Sequence, residues 1–293
     1  MLRKSLLTAL FLLIGYEVLM RSVDAWWSTG QNAPQSSVVR AHDFIYATRP
    51  YDNIMVGSSI GNRITSKVPA DSLPASFYNL SFGGQSIFDG LLILKNMGYK
   101  PKCIFIEMNV LMRSEDPDLQ ASLFSPVMYP VKKVMHSWRE RNQPMGVLAR
   151  LPLALDGNPD LQAAAPITGL ERTEESYKTM LAVQLEAQKN AYPESSVNDQ
   201  INKLKPFVEY FQQQGVQIVF FEVPVDPKLC GMGAPVQLRT MIKAAFEPLG
   251  CKFVDMPNCE GYFTTDGTHL EKISVYEYLR YFRNELKRQG ILG

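Results

Sequence analysis

The amino-terminal segment combines a basic start with a long apolar run, a pattern typical of membrane targeting. Arg3 and Lys4 precede an apolar stretch at residues 6–20 that few polar residues interrupt. An α-helix rises about 1.5 Å per residue, so this stretch alone is shorter than a hydrocarbon core of about 30 Å. Extension through the aromatic pair Trp26 and Trp27 reaches that length. We therefore predict a membrane helix at residues 1–27.

Two fates of this helix are compatible with the sequence, cleavage as a signal peptide and retention as a signal anchor. Val23, Asp24 and Ala25 can serve as a small-residue cleavage site. Glu17 and Arg21 crowd the region before that site, and an aromatic pair is typical of an interfacial anchor, so we favour a retained single-pass anchor. In either case the positive-inside rule places the rest of the chain outside the cytoplasm.

Beyond a short polar linker at residues 28–37, apolar runs alternate with helical patterns. The apolar runs predict strands at residues 53–56, 77–80, 103–106, 216–221 and 252–254. Helical patterns lie between and after them, at residues 60–67, 87–97, 197–214, 236–248 and 273–289. Strands separated by helices favour an α/β fold, in which helices cover both faces of a parallel sheet.

One long stretch, at residues 112–194, does not follow this alternation. It is rich in Pro, Met and Gln and contains one clear helical pattern, at residues 174–190. We interpret it as a mostly helical insertion that covers the carboxyl edge of the sheet. The predicted catalytic domain therefore covers residues 38–293 and includes this insertion.

Composition and charge exclude several classes of protein. Of the 293 residues, 46% are hydrophobic and 20% are charged, which is typical of a folded globular chain rather than a disordered or multi-span membrane protein. The 30 Lys and Arg nearly balance the 29 Asp and Glu, so the basic excess of a nucleic-acid-binding protein is missing. Neither a metal-ligand spacing nor a glycine-rich phosphate loop is present in the sequence, and we expect no cofactor and no metal.

A serine lies in the turn after the first predicted strand. The apolar residues 53–56 lead into Gly57, Ser58 and Ser59, and a helical pattern begins at Ile60. A hydroxyl at such a turn lies at the carboxyl edge of the sheet, next to the positive end of a helix that stabilises an alkoxide or oxyanion. Gly-Ser-Ser is also a common turn sequence, so this motif alone does not identify a nucleophile.

One of the three histidines follows an aspartate closely, just before the last predicted helix. The three-residue spacing of Asp266 and His269 can place the carboxylate on the imidazole Nδ1 and leave Nε2 free as a base. An aspartate that caps a turn beside a surface histidine is the alternative. His42 and His136 lack such a neighbour, and we interpret them as ordinary surface or core histidines.

Two further candidate residues follow the second and third predicted strands. Gly84 lies in a glycine-containing loop, where its backbone N–H can approach a substrate closely. Asn109 comes soon after the third strand, where its side-chain amide can donate to a developing oxyanion. Each also has a plain structural role, Gly84 as a turn residue and Asn109 as a helix cap.

In their order along the chain, these four short motifs resemble the sequence blocks of the SGNH (GDSL-like) hydrolase superfamily. The resemblance covers about residues 52–283. It implies a flavodoxin-like three-layer sandwich with a central parallel sheet. It also implies Ser59 as nucleophile, His269 as base and Asp266 as the acid that orients it. The implied oxyanion donors are the Ser59 N–H, the Gly84 N–H and the Asn109 amide.

Three residues depart from the usual blocks of that superfamily. Ser58 stands where many members have Asp, Ser81 where the second block often has Gly, and Glu107 where Gly is common. With the N-terminal anchor, these departures resemble a membrane-anchored branch that includes the teichoic-acid D-alanylation protein DltD and the O-acetylation proteins of exopolysaccharide gene clusters. We interpret Glu107 as a structural hydrogen-bond acceptor rather than a catalytic acid.

The resemblance implies serine-dependent acyl transfer outside the cytoplasm. We expect O-acetylation or deacetylation of a cell-surface or secreted polysaccharide, by a domain that one helix anchors to the bacterial cytoplasmic membrane and that faces the periplasm or the exterior. The expected partners are an acyl donor, the polysaccharide acceptor, the bilayer and a polytopic membrane-bound O-acyltransferase. Two alternatives stay open, a periplasmic esterase or lysophospholipase and a non-catalytic accessory subunit with the same fold.

Four cysteines are too few for a disulfide-built scaffold. Cys103 lies within a predicted buried strand, and we interpret it as a small core residue. An oxidising compartment permits one pair among Cys230, Cys251 and Cys259, and we favour Cys230 with Cys259.

Overall fold

A computed structural model of the chain describes residues 2–24, 37–47, 50–66, 76–144, 147 and 173–291. Its strands are β1 (Asn53–Val56), β2 (Phe77–Asn79), β3 (Cys103–Glu107), β4 (Gln217–Phe221) and β5 (Lys252–Val254). Its helices are α1 (Leu2–Asp24), α2 (Ser37–Ile45), α3 (Ser59–Ser66), α4 (Ile87–Met97), α5 (Pro117–Leu123), α6 (Met128–Val134), α7 (Glu174–Gln188), α8 (Glu194–Gln212), α9 (Pro227–Cys230), α10 (Gly233–Phe246) and α11 (Lys272–Arg288). Three 3₁₀-helices lie at His136–Trp138, Glu140–Asn142 and Glu247–Leu249.

The strands form a parallel sheet in the order β2-β1-β3-β4-β5. β1 pairs with β2 on one side and β3 on the other, so Asn53 lies beside both Phe77 and Cys103. This order is that of flavodoxin-like folds. It reverses between β1 and β3, and in open α/β sheets ligands bind outside the carboxyl ends of the strands at such a reversal. The residues that follow β1 and β3 therefore lie where a ligand site is expected.

Helices cover both faces of the sheet, because alternate strand residues enter different buried clusters. Ile54 and Val56 belong to one cluster with residues of α4, α8 and α10. Met55 belongs to a second cluster with residues of α3 and α11. All four residues of β1 are buried, as expected for an inner strand of such a sheet. The predicted three-layer α/β sandwich is confirmed.

The predicted strands and helices are present with shifts of a few residues, and two helices outside the insertion are new, α2 and the short α9. The predicted linker at residues 28–37 lies outside the described residues except for Ser37, which begins α2. Six consecutive residues of α2, from Arg40 to Ile45, are buried. Arg40, His42 and Asp43 are among them, and these polar residues hide the helical pattern in the sequence. His42 is a core histidine, with its ring 5.4 Å from that of Tyr46.

The N-terminal helix is long and apolar enough to cross a membrane. Its residues Arg3–Ser22 have a mean hydropathy of 1.4 and are largely exposed. Length and composition fit both a membrane anchor and a signal sequence. Ala25 of the possible cleavage site, and the aromatic pair Trp26 and Trp27, lie outside the described residues.

The cysteines occupy the predicted environments. Cys230 and Cys259 form a disulfide, which confirms the favoured pair. Cys103 and Cys251 are buried free thiols. Burial raises the pKa of the Cys251 thiol to about 11, so it is a poor nucleophile near neutral pH.

Candidate active site

The turn after β1 brings a serine hydroxyl to the carboxyl edge of the sheet. β1 ends at Val56, and Ser59 is the first residue of α3. The neighbouring Ser58 is fully buried, whereas Ser59 is partly accessible. Of the two serines in this turn, Ser59 therefore carries the hydroxyl that a substrate can reach.

The structure brings Ser59, His269 and Asp266 together in one hydrogen-bonded chain. His269 Nε2 lies 2.8 Å from Ser59 Oγ, and His269 Nδ1 lies 2.6 Å from Asp266 Oδ2. A carboxylate on Nδ1 favours the tautomer whose Nδ1 carries the proton, and Nε2 is then the acceptor that faces the serine hydroxyl. This is the arrangement that nucleophilic catalysis by a serine requires.

A tight turn holds the Asp266 carboxylate on the imidazole. Asp266 Oδ1 accepts hydrogen bonds from the backbone N–H groups of Thr268, at 3.0 Å, and His269, at 2.9 Å. Gly267 adopts a φ of 96°, a conformation that side chains disfavour. Burial alone raises the pKa of Asp266, but the hydrogen bonds and charge of His269 outweigh it and hold that pKa well below its usual range. The carboxylate is therefore ionised at any working pH.

One helix fixes both the serine and the loop that carries the histidine. Arg63, one turn after Ser59 on α3, donates from Nη1 to Thr265 Oγ1 at 2.9 Å and to the Leu270 carbonyl oxygen at 3.4 Å. These two acceptors flank Asp266 and His269 in sequence. Because α3 begins with Ser59, Arg63 couples the position of the hydroxyl to that of the imidazole.

A buried carboxylate lies under the amino-terminal turn of α3. Glu107, the last residue of β3, is completely buried. Its Oε2 accepts from the backbone N–H groups of Ser58, at 2.8 Å, and Gly61, at 3.0 Å. Its Oε1 accepts from Ser58 Oγ at 3.0 Å. Burial raises the pKa of Glu107, although the bonds from Ser58 and Gly61 and the nearby His269 act in the opposite direction. The predicted role of Glu107 as a hydrogen-bond acceptor is confirmed.

Two glycines make room for this carboxylate. A Cβ at Gly57 would lie 2.3 Å from Glu107 Oε2, and one at Gly61 would lie 2.7 Å from it. The same two positions approach Ser81 Oγ to 2.8 and 3.0 Å. Ser58 bonds Glu107, and Ser81 and Glu107 both border Gly57 and Gly61, so the three departures from the usual superfamily blocks lie together around the turn that carries Ser59. A change in any of them acts on the turn that presents the nucleophile.

Asn109 is held by the loop that follows β4. Its Oδ1 accepts from the Val223 N–H, and its Nδ2 donates to the Val223 carbonyl oxygen, both at 2.9 Å. An amide nitrogen carries two N–H donors, so one is left for a substrate. Asn109 also lines the cavity beside Ser59 and His269. The alternative role of Asn109 as a helix cap is replaced by this clamp, and its oxyanion role stays a prediction.

Gly84 is less closely connected to this cavity. It lies in the turn between β2 and α4 with a φ of 78°, and it is exposed. It is not among the residues that line the cavity beside Ser59. The oxyanion role of its N–H also stays a prediction.

A cavity of about 250 Å³ opens beside Ser59 and His269. Residues that follow β3 and β4 line it together with α7 and α10, which contribute Gln184, Gln188, Leu238 and Arg239. The Arg239 guanidinium pairs with the Glu222 carboxylate at 2.6 and 2.9 Å. Sequence analysis missed these lining residues, since they are distant from Ser59 along the chain. The one local signal was Glu222, a charged residue directly after the apolar strand β4.

In the part of the chain that the structure describes, no group of three or more His, Cys, Asp or Glu side chains could hold a metal ion.

We expect Asn109→Ala to lower kcat by roughly 10²- to 10³-fold, the usual cost of one lost oxyanion donor. Gly84→Ala keeps the backbone N–H, but the φ of 78° disfavours alanine, so we expect a shifted N–H and a loss of similar size. Steady-state kinetics on an ester substrate measures this loss. Because Asn109 also clamps Val223, thermal unfolding of Asn109→Ala must be measured in parallel. Unchanged kinetics would remove either residue from the site, and a collapsed melting temperature would mark Asn109 as structural.

Comparisons with known proteins find likenesses among solved structures only. No protein-family model and no curated protein matches the chain. Among solved structures it is similar to a Bacteroides fragilis protein assigned as an acylhydrolase, at 12% identity and a TM-score of 0.45, over 85% of this chain and 95% of the other. It is also similar to a GDSL-like lipase from Bacteroides thetaiotaomicron, at 10% identity and a TM-score of 0.41, over 82% and 88%. At these values the likenesses carry no argument about chemistry, which rests on the geometry described above.

Proposed function

We propose that this chain is a membrane-anchored serine acyltransferase or esterase of the SGNH (GDSL-like) superfamily. One observation carries the proposal, the hydrogen-bonded chain from Ser59 Oγ through His269 to Asp266, at 2.8 and 2.6 Å. Its position supports the same conclusion, because Ser59 follows β1 at the point where the strand order reverses.

The proposed reaction is a two-step acyl transfer. His269 Nε2 takes the proton of Ser59 Oγ, which attacks the ester carbonyl and forms a tetrahedral intermediate. As the carbonyl re-forms, His269 returns the proton to the departing alcohol and leaves the acyl group on Ser59. His269 then takes the proton of the acceptor hydroxyl, which attacks the acyl-enzyme. As the bond between the acyl group and Ser59 Oγ breaks, His269 returns the proton to Ser59 Oγ and the site is restored. Water as acceptor makes the protein an esterase, and a sugar hydroxyl makes it an O-acyltransferase.

The amino-terminal turn of α3 supports an oxyanion site at Ser59. The N–H groups of Ser58 and Gly61 are bonded to Glu107, and that of Ile60 is bonded to Ser58 Oγ at 3.2 Å. The Ser59 N–H has no partner among the described residues, so it is the free donor at this helix end. We propose that it acts with the Gly84 N–H and the second Asn109 amide hydrogen.

The cavity favours a short acyl group and a polar acceptor. Its volume of about 250 Å³ is below the range of about 300–1,000 Å³ that is typical of sites for drug-sized ligands. Gln184, Gln188 and the Glu222–Arg239 pair present hydrogen-bonding groups around it. Apolar residues, among them Met108, Val110 and Leu238, line the rest of the cavity, but this volume leaves little room for a long fatty-acyl chain. We therefore propose acetyl transfer to or from a polysaccharide, in preference to lysophospholipid hydrolysis.

The apolar helix α1 supports a location at the outer face of the bacterial cytoplasmic membrane. In this proposal a polytopic membrane-bound O-acyltransferase passes the acyl group across the bilayer to Ser59. The arrangement corresponds to the branch that includes DltD and the exopolysaccharide O-acetylation proteins. Retention of α1 would keep Ser59 close to that donor and raise its effective concentration there.

The test uses the full chain in lipid nanodiscs with a chromogenic acetyl ester, with and without an oligosaccharide acceptor. We expect chromophore release together with acetylated oligosaccharide, and loss of both in Ser59→Ala. Ser122→Ala is the matched control, since its hydroxyl only bonds the Leu119 carbonyl oxygen within α5. Release without acetylated acceptor would favour the esterase. If the full chain releases no chromophore, and its Ser59→Ala variant still functions in cells, the accessory-subunit alternative is favoured.

A further inference from the structure

The carboxyl-terminal half of α1 is docked on the insertion through a charged residue. Glu17 Oε1 accepts from the His136 N–H at 2.9 Å, and Glu17 Oε2 accepts from the Ser137 N–H at 2.8 Å. Arg21 Nε donates to Glu17 Oε1 at 2.8 Å. A lone carboxylate in an apolar helix is costly in a membrane, and these three donors satisfy it. Glu17 is therefore a contact residue between α1 and the 3₁₀-helix His136–Trp138.

Further contacts extend this docking along the helix. The Tyr16 hydroxyl donates to the Asn142 carbonyl oxygen, and Arg21 Nη2 donates to the Val134 carbonyl oxygen. Met20, on the same side of α1, is 2% exposed. By contrast, the apolar residues elsewhere along α1 are largely exposed. They are Leu6, Leu7, Leu10, Phe11, Leu12, Leu13, Ile14, Val18 and Leu19.

The insertion connects this contact to the body of the domain. Arg139, which is buried, donates from Nε to the Lys132 carbonyl oxygen at 3.1 Å and lies over the Tyr46 ring at 4.8 Å. Tyr46 follows α2, which packs in the main core. The path from α1 to the sheet is thus made of packed and hydrogen-bonded groups, so the position of α1 is coupled to that of the domain.

An apolar surface lies next to the docked end of α1. Val127 is 64%, Val134 65% and Trp138 43% exposed. Val127 is the N-cap residue of α6 and has helical backbone angles, and Val134 is the last residue of the helix. At this spacing of seven residues the two side chains lie on the same face. Trp138 follows in the 3₁₀-helix that contacts Glu17. Lys133 is also exposed, with its ammonium 4.2 Å from the centre of the Tyr129 ring. We name the segment at residues 127–138 the platform.

The level of the platform follows from the geometry of α1. Residues Arg3–Ser22 span about 30 Å, the thickness of a hydrocarbon core. An inserted α1 therefore places Arg21 at the outer boundary of the core and Glu17 about 6 Å below it. The Val134 carbonyl, which bonds Arg21, then lies at this boundary, and the His136 and Ser137 N–H groups, which bond Glu17, lie just inside it.

We propose that the platform lies in the outer interface of the bilayer, with Val127, Val134 and Trp138 in contact with phospholipid. This inference rests on the membrane location in the proposed function. It adds a second membrane contact besides α1. Tryptophan and valine side chains with a neighbouring lysine suit this zone, because rings and apolar groups enter it while the ammonium reaches anionic headgroups. The bilayer then holds the domain through two coupled elements and limits its rotation about α1.

Tryptophan fluorescence of the full chain in vesicles tests the platform. A Trp26→Phe, Trp27→Phe chain keeps Trp138 as its one tryptophan. The vesicles contain phosphatidylglycerol and a phosphatidylcholine brominated on the acyl carbons nearest the headgroup. We expect Trp138 to lose most of its emission relative to unbrominated vesicles, and aqueous iodide to have little effect. The control chain adds Trp138→Phe and Leu249→Trp, which places the tryptophan at an exposed site after α10, and we expect the opposite response.

The outcomes separate the platform from the rest of the account. If iodide quenches Trp138 as strongly as it quenches the control tryptophan, and brominated lipid has no effect, the platform proposal is wrong. The platform would then face water or a protein partner. If the chain does not float with the vesicles, both the platform proposal and the proposed membrane location are wrong. Ester turnover on the same vesicles reports the Ser59 chemistry independently of either result.

Discussion

Ser59→Ala and His269→Ala should each lower the turnover of an acetyl ester by at least ~10³-fold, because a nucleophile and its base act as a unit. Ser59 Oγ is the atom that forms the acyl-enzyme, and His269 Nε2, at 2.8 Å, is the group that accepts its proton. Without either residue, only substrate binding and the oxyanion donors still contribute to catalysis. The double variant should be no slower than the slower single variant, since removing the second member of a broken unit costs little more.

Asp266→Asn should cost a similar or somewhat smaller factor. The Asn amide cannot take the place of the carboxylate that accepts from His269 Nδ1 at 2.6 Å, and the charge that stabilises the imidazolium is lost. Steady-state and single-turnover kinetics measure all four variants, with thermal unfolding to verify the fold. Full activity of Ser59→Ala, in solution and in cells, would refute the catalytic assignment and leave the accessory-subunit alternative.

Glu107→Ala should destabilise the fold by about 3 kcal/mol or more, because it leaves buried hydrogen-bond donors without an acceptor and opens a cavity. The donors are the N–H groups of Ser58 and Gly61 and the Ser58 hydroxyl. Since these groups form the turn that presents Ser59, kcat should fall as well. Urea unfolding measures the loss of stability.

Glu107→Gln is the matched control, and it should be much milder. Its amide oxygen can accept from both N–H groups, while its NH₂ group donates to Ser58 Oγ.

The dependence of the free energy of unfolding on pH has a defined sign. Because burial raises the pKa of Glu107, the protonated wild-type side chain contributes stability below the ordinary carboxyl pKa, and this contribution falls as the pH rises towards the raised value. The free energy of unfolding of wild type relative to Glu107→Gln should therefore decrease from acid to neutral pH. A glutamine variant as unstable as Glu107→Ala would contradict the acceptor role.

The sequence predicted the sheet and the serine–histidine–aspartate pattern because both are local. The apolar runs of β1 and β3, the small residues from Gly57 to Ser59, and the spacing of Asp266 and His269 are each visible within a few residues. Strand order at a parallel sheet edge then brings these short motifs together, since every strand ends at the same side.

The remaining features depend on contacts between distant parts of the chain. Gly57 and Gly61 are needed because the Glu107 carboxylate lies against them, and nothing near them in the sequence indicates this. The clamp of Asn109 on Val223 joins positions 114 residues apart. Sequence analysis took Glu17 as an obstacle to signal-peptide cleavage, whereas its bonds to the His136 and Ser137 N–H groups make it a docking residue.

The most direct test of the central claim is to trap the acyl-enzyme. The full chain is mixed with a chromogenic acetyl ester, quenched in acid within the first turnover, and examined by intact-mass and peptide mass spectrometry. We predict a mass increase of one acetyl group on the peptide that carries Ser59, absent from Ser59→Ala and strongly reduced in His269→Ala. Acetylation elsewhere on the chain that persists in Ser59→Ala, or turnover without any covalent adduct, would contradict the account.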